Sequence, residues 1–325
     1  MADRSYGLND VPPPGVLLPA ALQHIGLGAV TLVFPLLVAE AAGADARTTA
    51  QYLSLAMLAL GVATLLQAFG RFGIGSGFLL PAVFTAIHLP VALVAARVGG
   101  LGAVAGLMLV AGLVEMLLSR VVHRLRPFLP AEIVGLVVLV LGILLGLLSL
   151  RLMLGVSQAG GVDGAVLPGS LAALAVIVGL AVWAPPRVRV LAVLGGIAAG
   201  SPVSALASLA DGGPSAVAGI ALVPPAWPLS VPSLELVLLP GALIGATACF
   251  VRAIGDIVAS QRATDLHWKR PDYATIRAGT LADGMGTFAA GLLGTIGVNT
   301  YSASVGLAIA TGVLARRVAL AVGAG

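Results

Sequence analysis

The chain has 325 residues, 59% of them hydrophobic and 9% charged. Its mean hydropathy of +1.09 excludes a water-soluble globular domain, whose surface carries far more charge. The formal net charge of +4 comes from basic residues scattered through short loops, which is a topology signal rather than a nucleic-acid footprint.

Residues 1–15 are polar and proline-rich and form no cleavable signal peptide. Apolar windows bounded by charges or turn residues then place spans at 16–42, 50–69, 74–96, 101–119, 131–150, 170–184, 188–210, 235–261, 275–294 and 298–314. With the N-terminus inside, Arg4, Arg71, Arg120, Arg124, Arg126, Arg187, Arg189, Arg262, Lys269, Arg270, Arg277, Arg316 and Arg317 collect on the inner side. The outer side keeps Arg47, Arg97 and Arg151. The proline-rich loop 212–233, with Pro214, Pro224, Pro225, Pro228 and Pro232, is then outside and carries no basic residue. Trp183, Trp227 and Trp268 fall near span ends, as amphipathic rings do.

Spans three and ten are irregular. They open with RFGIGSGFLLPAVF and GTIGVNTYSASVG, rich in Gly, Ser or Thr and poor in helix formers. Non-helical backbone inside a membrane survives only where protein or a water-filled cavity satisfies it, and matching interruptions in two halves of a chain point to a midplane binding site. Their positions suggest two seven-span repeats of opposite orientation, each half-helix aiming N-terminal N–H groups at a polar or anionic ligand. Such a fold needs fourteen spans. The eight residues after Arg317 cannot cross a bilayer, so about ten to eleven spans are expected here: either the chain is truncated at its C-terminus or the repeat reading fails, and truncation is the expectation.

Span eight holds Arg252 and Asp256 within an apolar stretch. At about 1.5 Å per residue, Arg252 lies roughly 15 Å from the boundary at Arg262, near the bilayer centre. A charge there costs at least about 2.5 kcal/mol, and such residues face bundle interiors or water-filled cavities. The i,i+4 spacing puts both on one face. They read either as a transport device, Arg252 holding an anion and Asp256 carrying a proton, or as a self-neutralising pair that packs helices.

Among the remaining polar residues, Asn299, Thr300, Tyr301, Ser302 and Ser304 line a site if span ten is broken there, or form an ordinary turn. His88 reads as a packing residue, and His123 and His267 as solvated. Glu115 and Glu132 read as interfacial partners of Arg120, Arg124 and Arg126, and Asp283 as a helix-packing contact or part of a proton path. The single cysteine, Cys249, excludes an internal disulfide and a cysteine-rich metal centre. No His-rich cluster, catalytic triad or GxxxxGK[ST] loop is present in the sequence, so neither an enzyme nor direct ATP drive is expected, and no metal or cofactor.

Four motifs carry a family resemblance: Gln23-His24 in span one, GIGSGFLLP in span three, RAIGD in span eight and NTYSASVGLAIATGVLARR in span ten. Together they resemble the nucleobase-ascorbate transporters (nucleobase:cation symporter-2), which include uracil, xanthine and urate permeases. The resemblance covers nearly the whole chain. It implies an all-α polytopic protein with a 7+7 inverted-repeat fold divided into core and gate. Here 16–119 and 234–325 supply the core, 130–211 half of the gate, and the second half of the gate is absent. It places Phe78 against a bound base and Gln23, His24, Asn299, Thr300, Gly306 and Thr311 as organisers of the site. Substrate contacts fall to Arg252, Asp256, Tyr301, Ser302, Ala303 and Ser304, with Asp256 as the proton-coupling group. It also implies a homodimer in a bacterial inner membrane. Two departures matter: the family's base-gripping Glu falls on Arg252, and the residues opening the span-ten signature fall on Ala303 and Ser304. The expected activity is proton symport of a purine-type base such as xanthine or urate. The alternatives are transport of a small organic or inorganic anion on Arg252, and a non-transporting fragment or assembly partner.

Overall fold

A proline pair, Pro13 and Pro14, opens the first helix, where a missing N–H costs nothing and φ is already helical. Helix α1 (Pro14–Val30) stops at Thr31, and α2 (Val33–Ala41) resumes at an offset, so span one is interrupted. Helix α3 (Ala46–Phe69) is capped by Asp45, which accepts from Thr48 N at 2.8 Å, and ends on Gly70 in the left-handed region. The computed structural model describes residues 6–125, 139, 143, 146–147, 149–156, 162, 164–185, 188, 192–210, 226–265 and 267–325. They fall into two compact units, Met1–Val138 with Val223–Gly325, and Leu139–Leu222.

Span three is not helical where it enters. Residues 70–81 form glycine turns, β1 (Ala82–Phe84) follows, and helix begins only at Leu89. Gly75 is required there: its φ is +80°, and a Cβ would stand 2.3 Å from Leu66 O. Helix α4 (Leu89–Leu125) breaks at Gly99–Gly100, where Gly100 has φ 66° and ψ −162°, so it comprises two successive helices. After the 3-10 turn Leu236–Leu238 come α7 (Leu239–Thr264) and α8 (Tyr273–Leu292). Then β2 (Val298–Thr300), α9 (Ser302–Thr311) and α10 (Arg316–Ala324) complete the chain. Span ten is therefore a short strand followed by a ten-residue helix.

Strands β1 and β2 pair antiparallel in the register Ala82↔Thr300, Val83↔Asn299 and Phe84↔Val298. Only one edge of each strand faces the other, which leaves the outer edges to be satisfied inside an apolar bundle. On β1, Ala82 N donates to Thr64 Oγ1 at 3.1 Å and Phe84 N to Thr31 Oγ1 at 3.2 Å. On β2, Thr300 N donates to Asp283 Oδ1 at 3.0 Å and Val298 O accepts from Thr287 Oγ1 at 2.8 Å. Side chains of α3, α8 and the α1–α2 break thus complete the ribbon.

Helices α4 and α8 meet through small residues. A Cβ on Gly112 would come within 2.4 Å of Phe288 N, and one on Gly284 within 2.7 Å of Met116 N. Lipid tails are as apolar as leucine, so such close backbone packing and buried polar contacts hold membrane helices together. In the other unit, α5 (Val166–Trp183) and α6 (Ala192–Ala210) pack in the same way, with Gly169 against Ser204 and Gly196 against Ile177.

Among the described residues, five helical stretches are long and apolar enough to cross a membrane: Pro14–Ala41, Ala46–Phe69, Leu89–Arg124, Val166–Trp183 and Leu236–Thr264. Most of the expected span five, Glu132, Arg126 and the loop through Pro214, Pro224 and Pro225 lie outside the described residues.

Candidate functional site

Helix α7 carries Arg252 and Asp256 on the face that meets the ribbon. Asp256 Oδ2 accepts from Thr300 Oγ1 at 2.9 Å, and Oδ1 accepts from Ser302 Oγ. The carboxyl group is thus held at the end of β2 and at the first residue of α9, where helix N-terminal polarity favours an anion. Arg252 Nε stands 3.8 Å from Asp256 Oδ2, a loose ion pair without a hydrogen bond. Its Nη1 donates to Thr85 Oγ1 at 3.4 Å, just after β1, and its guanidinium lies 5.9 Å from the centre of the Tyr301 ring. The arginine side chain keeps 19% of its surface exposed and the aspartate 6%, so the cation is the more accessible partner.

The sequence candidates Arg252, Asp256, Asn299, Thr300, Tyr301 and Ser302 therefore come together. Asn299 is wholly buried, and its Oδ1 lies 3.1 Å from Thr300 Oγ1, whose one hydrogen is directed to the shorter contact with Asp256. Ser304 is buried on α9 and bonds through its backbone to Tyr301 O, whereas Ala303 is exposed.

Others form no hydrogen bond or ion pair with this group. Phe78 packs with Leu80, Phe250, Ile257, Ile276 and Val305, four residues before β1 begins, and the residue that bonds to Arg252 from that side is Thr85, just after β1. Thr311 bonds back to Leu307 O and Ala308 O at the far end of α9, and Gly306 faces open space. His24 is buried in α1 with Nδ1 unpartnered, and neither Gln23 nor His24 hydrogen-bonds the Arg252–Asp256 group.

Two expectations are corrected. Glu115 is fully buried on α4, not an interfacial partner of arginines; its Oε1 is 3.5 Å from His88 Nε2. His88 is no simple packing residue either, since Cys249 Sγ lies 3.3 Å from the same nitrogen. Asp283 takes the helix-to-ribbon contact that was one of its two readings. Sequence reasoning missed Thr31, Thr64, Thr85 and Thr287, because a lone threonine in an apolar helix carries no local sign of a distant partner.

A family model described as the Permease family matches residues 16–324. Among curated relatives, the xanthine permease XanP of Escherichia coli (strain K12) is 27% identical over 340 residues, covering 98% of this chain and 72% of that one. A putative purine permease of Clostridium perfringens is 28% identical, with coverage of 98% and 70%. The nucleobase transporter PlUacP of Paenibacillus larvae is 26% identical, with coverage of 94% and 70%. Among solved structures, the transmembrane domain of the cyanobacterial bicarbonate transporter BicA superposes with a TM-score of 0.59 at 17% identity, over 97% of this chain and 82% of that one. That likeness establishes the shared fold alone. With the apolar helices and the match from residue 16 to 324, the chain belongs to this permease family, the family its motifs resemble, and is an integral membrane protein of a transport family rather than an enzyme.

Proposed function

We propose that this protein is a secondary active transporter that carries a purine-type nucleobase, xanthine or urate, together with a proton. The observation that carries the reading is the Arg252–Asp256 pair, set at the joint of two broken spans and contacting both, through Thr85 on one side and Thr300 and Ser302 on the other. Relatives named as xanthine, purine and nucleobase permeases support the substrate class.

Arg252 acts as a fixed cation for an oxygen or anionic ring edge of the base, and the Tyr301 ring beside it offers a stacking surface. Substrate that takes the guanidinium draws the cation away from Asp256. A carboxylate deprived of its cation in a low-dielectric site takes up a proton, and this links base binding to proton binding. Met1–Val138 with Val223–Gly325 corresponds to the core and Leu139–Leu222 to the gate, a division supported by how the chain clusters. The reading includes inverted repeats, a homodimer and a bacterial inner membrane with the N-terminus inside.

Uptake of labelled xanthine and urate into proteoliposomes under an imposed pH gradient tests it. Saturable accumulation that collapses with the gradient is the expected result; no saturable uptake of either base overturns it. A second reading, transport of a small organic or inorganic anion, is favoured by one observation, the basic Arg252 at the motif position where the family resemblance implies a glutamate. Competition by simple carboxylates or bicarbonate that exceeds competition by xanthine selects it, and so does Arg252→Glu creating base uptake that the wild type lacks.

A further inference from the structure

A second polar group lies buried against α7, one turn before Arg252, and the transport reading makes no use of it. His88, Glu115 and Cys249 come from the end of the span-three break, the middle of α4 and the middle of α7, and all three are fully buried. Sγ of Cys249 is 3.3 Å from His88 Nε2, Oε1 of Glu115 is 3.5 Å from the same atom, and one ligating atom from each lies within 4.8 Å of the others. Both carboxylate oxygens of Glu115 lack a hydrogen-bond partner. No arginine or lysine bonds to Glu115 among the described residues. The glutamate is therefore a buried acceptor whose nearest described basic group is the His88 imidazole at 3.5 Å.

We propose that His88, Glu115 and Cys249 form a binding site for a borderline-soft divalent cation of the zinc class, an inference that goes beyond the transport reading. Three features carry it. The donor set of one imidazole nitrogen, one thiolate and one carboxylate is the chemistry that such cations select. The geometry fits: bonds of about 2.3 Å to sulfur and about 2.0–2.2 Å to nitrogen and oxygen, at tetrahedral angles, set ligand atoms roughly 3.4–3.6 Å apart, close to the 3.3 and 3.5 Å that separate the His88 nitrogen from the other two donors. The charge also closes. A divalent cation with one thiolate, one carboxylate and a neutral imidazole is neutral overall, the state a low-dielectric interior tolerates. Binding displaces the thiol proton to solvent and replaces the long His88–Glu115 contact with direct ligation of both.

The surroundings hold the imidazole in place. A Cβ on Gly297 would lie 2.6 Å from the His88 ring and one on Gly245 3.1 Å from its Nδ1, so the two glycines seat the ring against α7 and the ribbon. Asp283 interacts electrostatically with both Glu115 and Cys249. The site thus shares α7 with Asp256.

Cobalt is the probe, because Cys249 is the only cysteine in the chain and any thiolate-to-cobalt charge-transfer band reports this site alone. The full chain is purified in detergent after expression in cobalt medium and, separately, after prolonged incubation with Co2+, so that slow entry into a buried site does not mimic absence. The expected result is one tightly held cobalt per chain, a near-ultraviolet thiolate band with tetrahedral visible bands, and displacement of both by Zn2+. Cys249→Ala removes the thiolate band. Glu115→Gln keeps it but weakens affinity by more than the roughly 10–100-fold typical of an outer-shell partner. A double variant of the exposed histidines, His123→Ala with His267→Ala, leaves stoichiometry and band unchanged. A folded wild-type protein that holds no cobalt by either route overturns the proposal. So does cobalt held without a thiolate band and lost in the exposed-histidine variant, which marks surface binding only.

Discussion

The two broken spans meet in one ribbon, yet they are completed by different chemistry. The outer edge of β1 is closed by neutral hydroxyls, Thr64 and Thr31, whereas the outer edge of β2 is closed by the acid Asp283 together with Thr287. The residues that follow diverge in the same way. After β1, Thr85 gives Arg252 one weak contact; at the end of β2, Thr300 and then Ser302 hold both oxygens of Asp256. Backbone satisfaction alone asks only for hydroxyls. The carboxylates gathered at β2 exceed that need, so β1 is read as scaffold and β2 as the chemical side.

The sharpest way to break this contrast is to remove each edge partner in turn. Asp283→Ala strips the carboxyl acceptor from Thr300 N inside the bundle and is expected to cost about 2–3 kcal/mol, read as a fall in Tm of the detergent-solubilised protein. Thr64→Val takes a neutral acceptor from Ala82 N and is expected to cost about 1–2 kcal/mol. Equal losses would contradict the division of roles.

A smaller effect is expected away from the ribbon. Asp272 caps α8, accepting from Ala274 N at 3.0 Å and from the Thr275 hydroxyl. The Thr275 hydrogen bond is the chief cause holding its carboxyl below the usual range. Asp272→Ala is expected to cost about 0.5–1 kcal/mol near neutral pH. Because the folded-state value is lowered, the stabilisation is present above the ordinary carboxylate range and is lost as pH falls through the lowered value. The gap between wild type and variant should therefore close in acid. Smallest of all, Gly306→Ala faces open space and should shift stability by under about 0.5 kcal/mol.

What the sequence made legible was local. Apolar windows located α3, α7 and α8; Gly- and Thr-rich entries marked both breaks; and i,i+4 spacing put Arg252 and Asp256 on one face, because each signal lies within a few turns of chain. The ribbon's partners were not legible. Thr31 and Thr64 reach β1 from other elements, and a threonine in an apolar helix reads the same whether or not it has a distant partner. Glu115 was misjudged because the nearby arginines of α4 suggested an interface, while its actual neighbour, His88, lies across a helix break. His88, Glu115 and Cys249 have no common spacing, so only the fold brings them together.

The most direct measurement compares wild type with Asp256→Asn for labelled xanthine and urate uptake in proteoliposomes, with and without an inward proton gradient. Wild type should accumulate base above equilibrium only when the gradient is present. The variant, isosteric but unable to carry the proton, should lose that accumulation while still binding base at Arg252, detected as protection against thermal unfolding. Gradient-driven accumulation that survives in Asp256→Asn would contradict proton coupling through this residue.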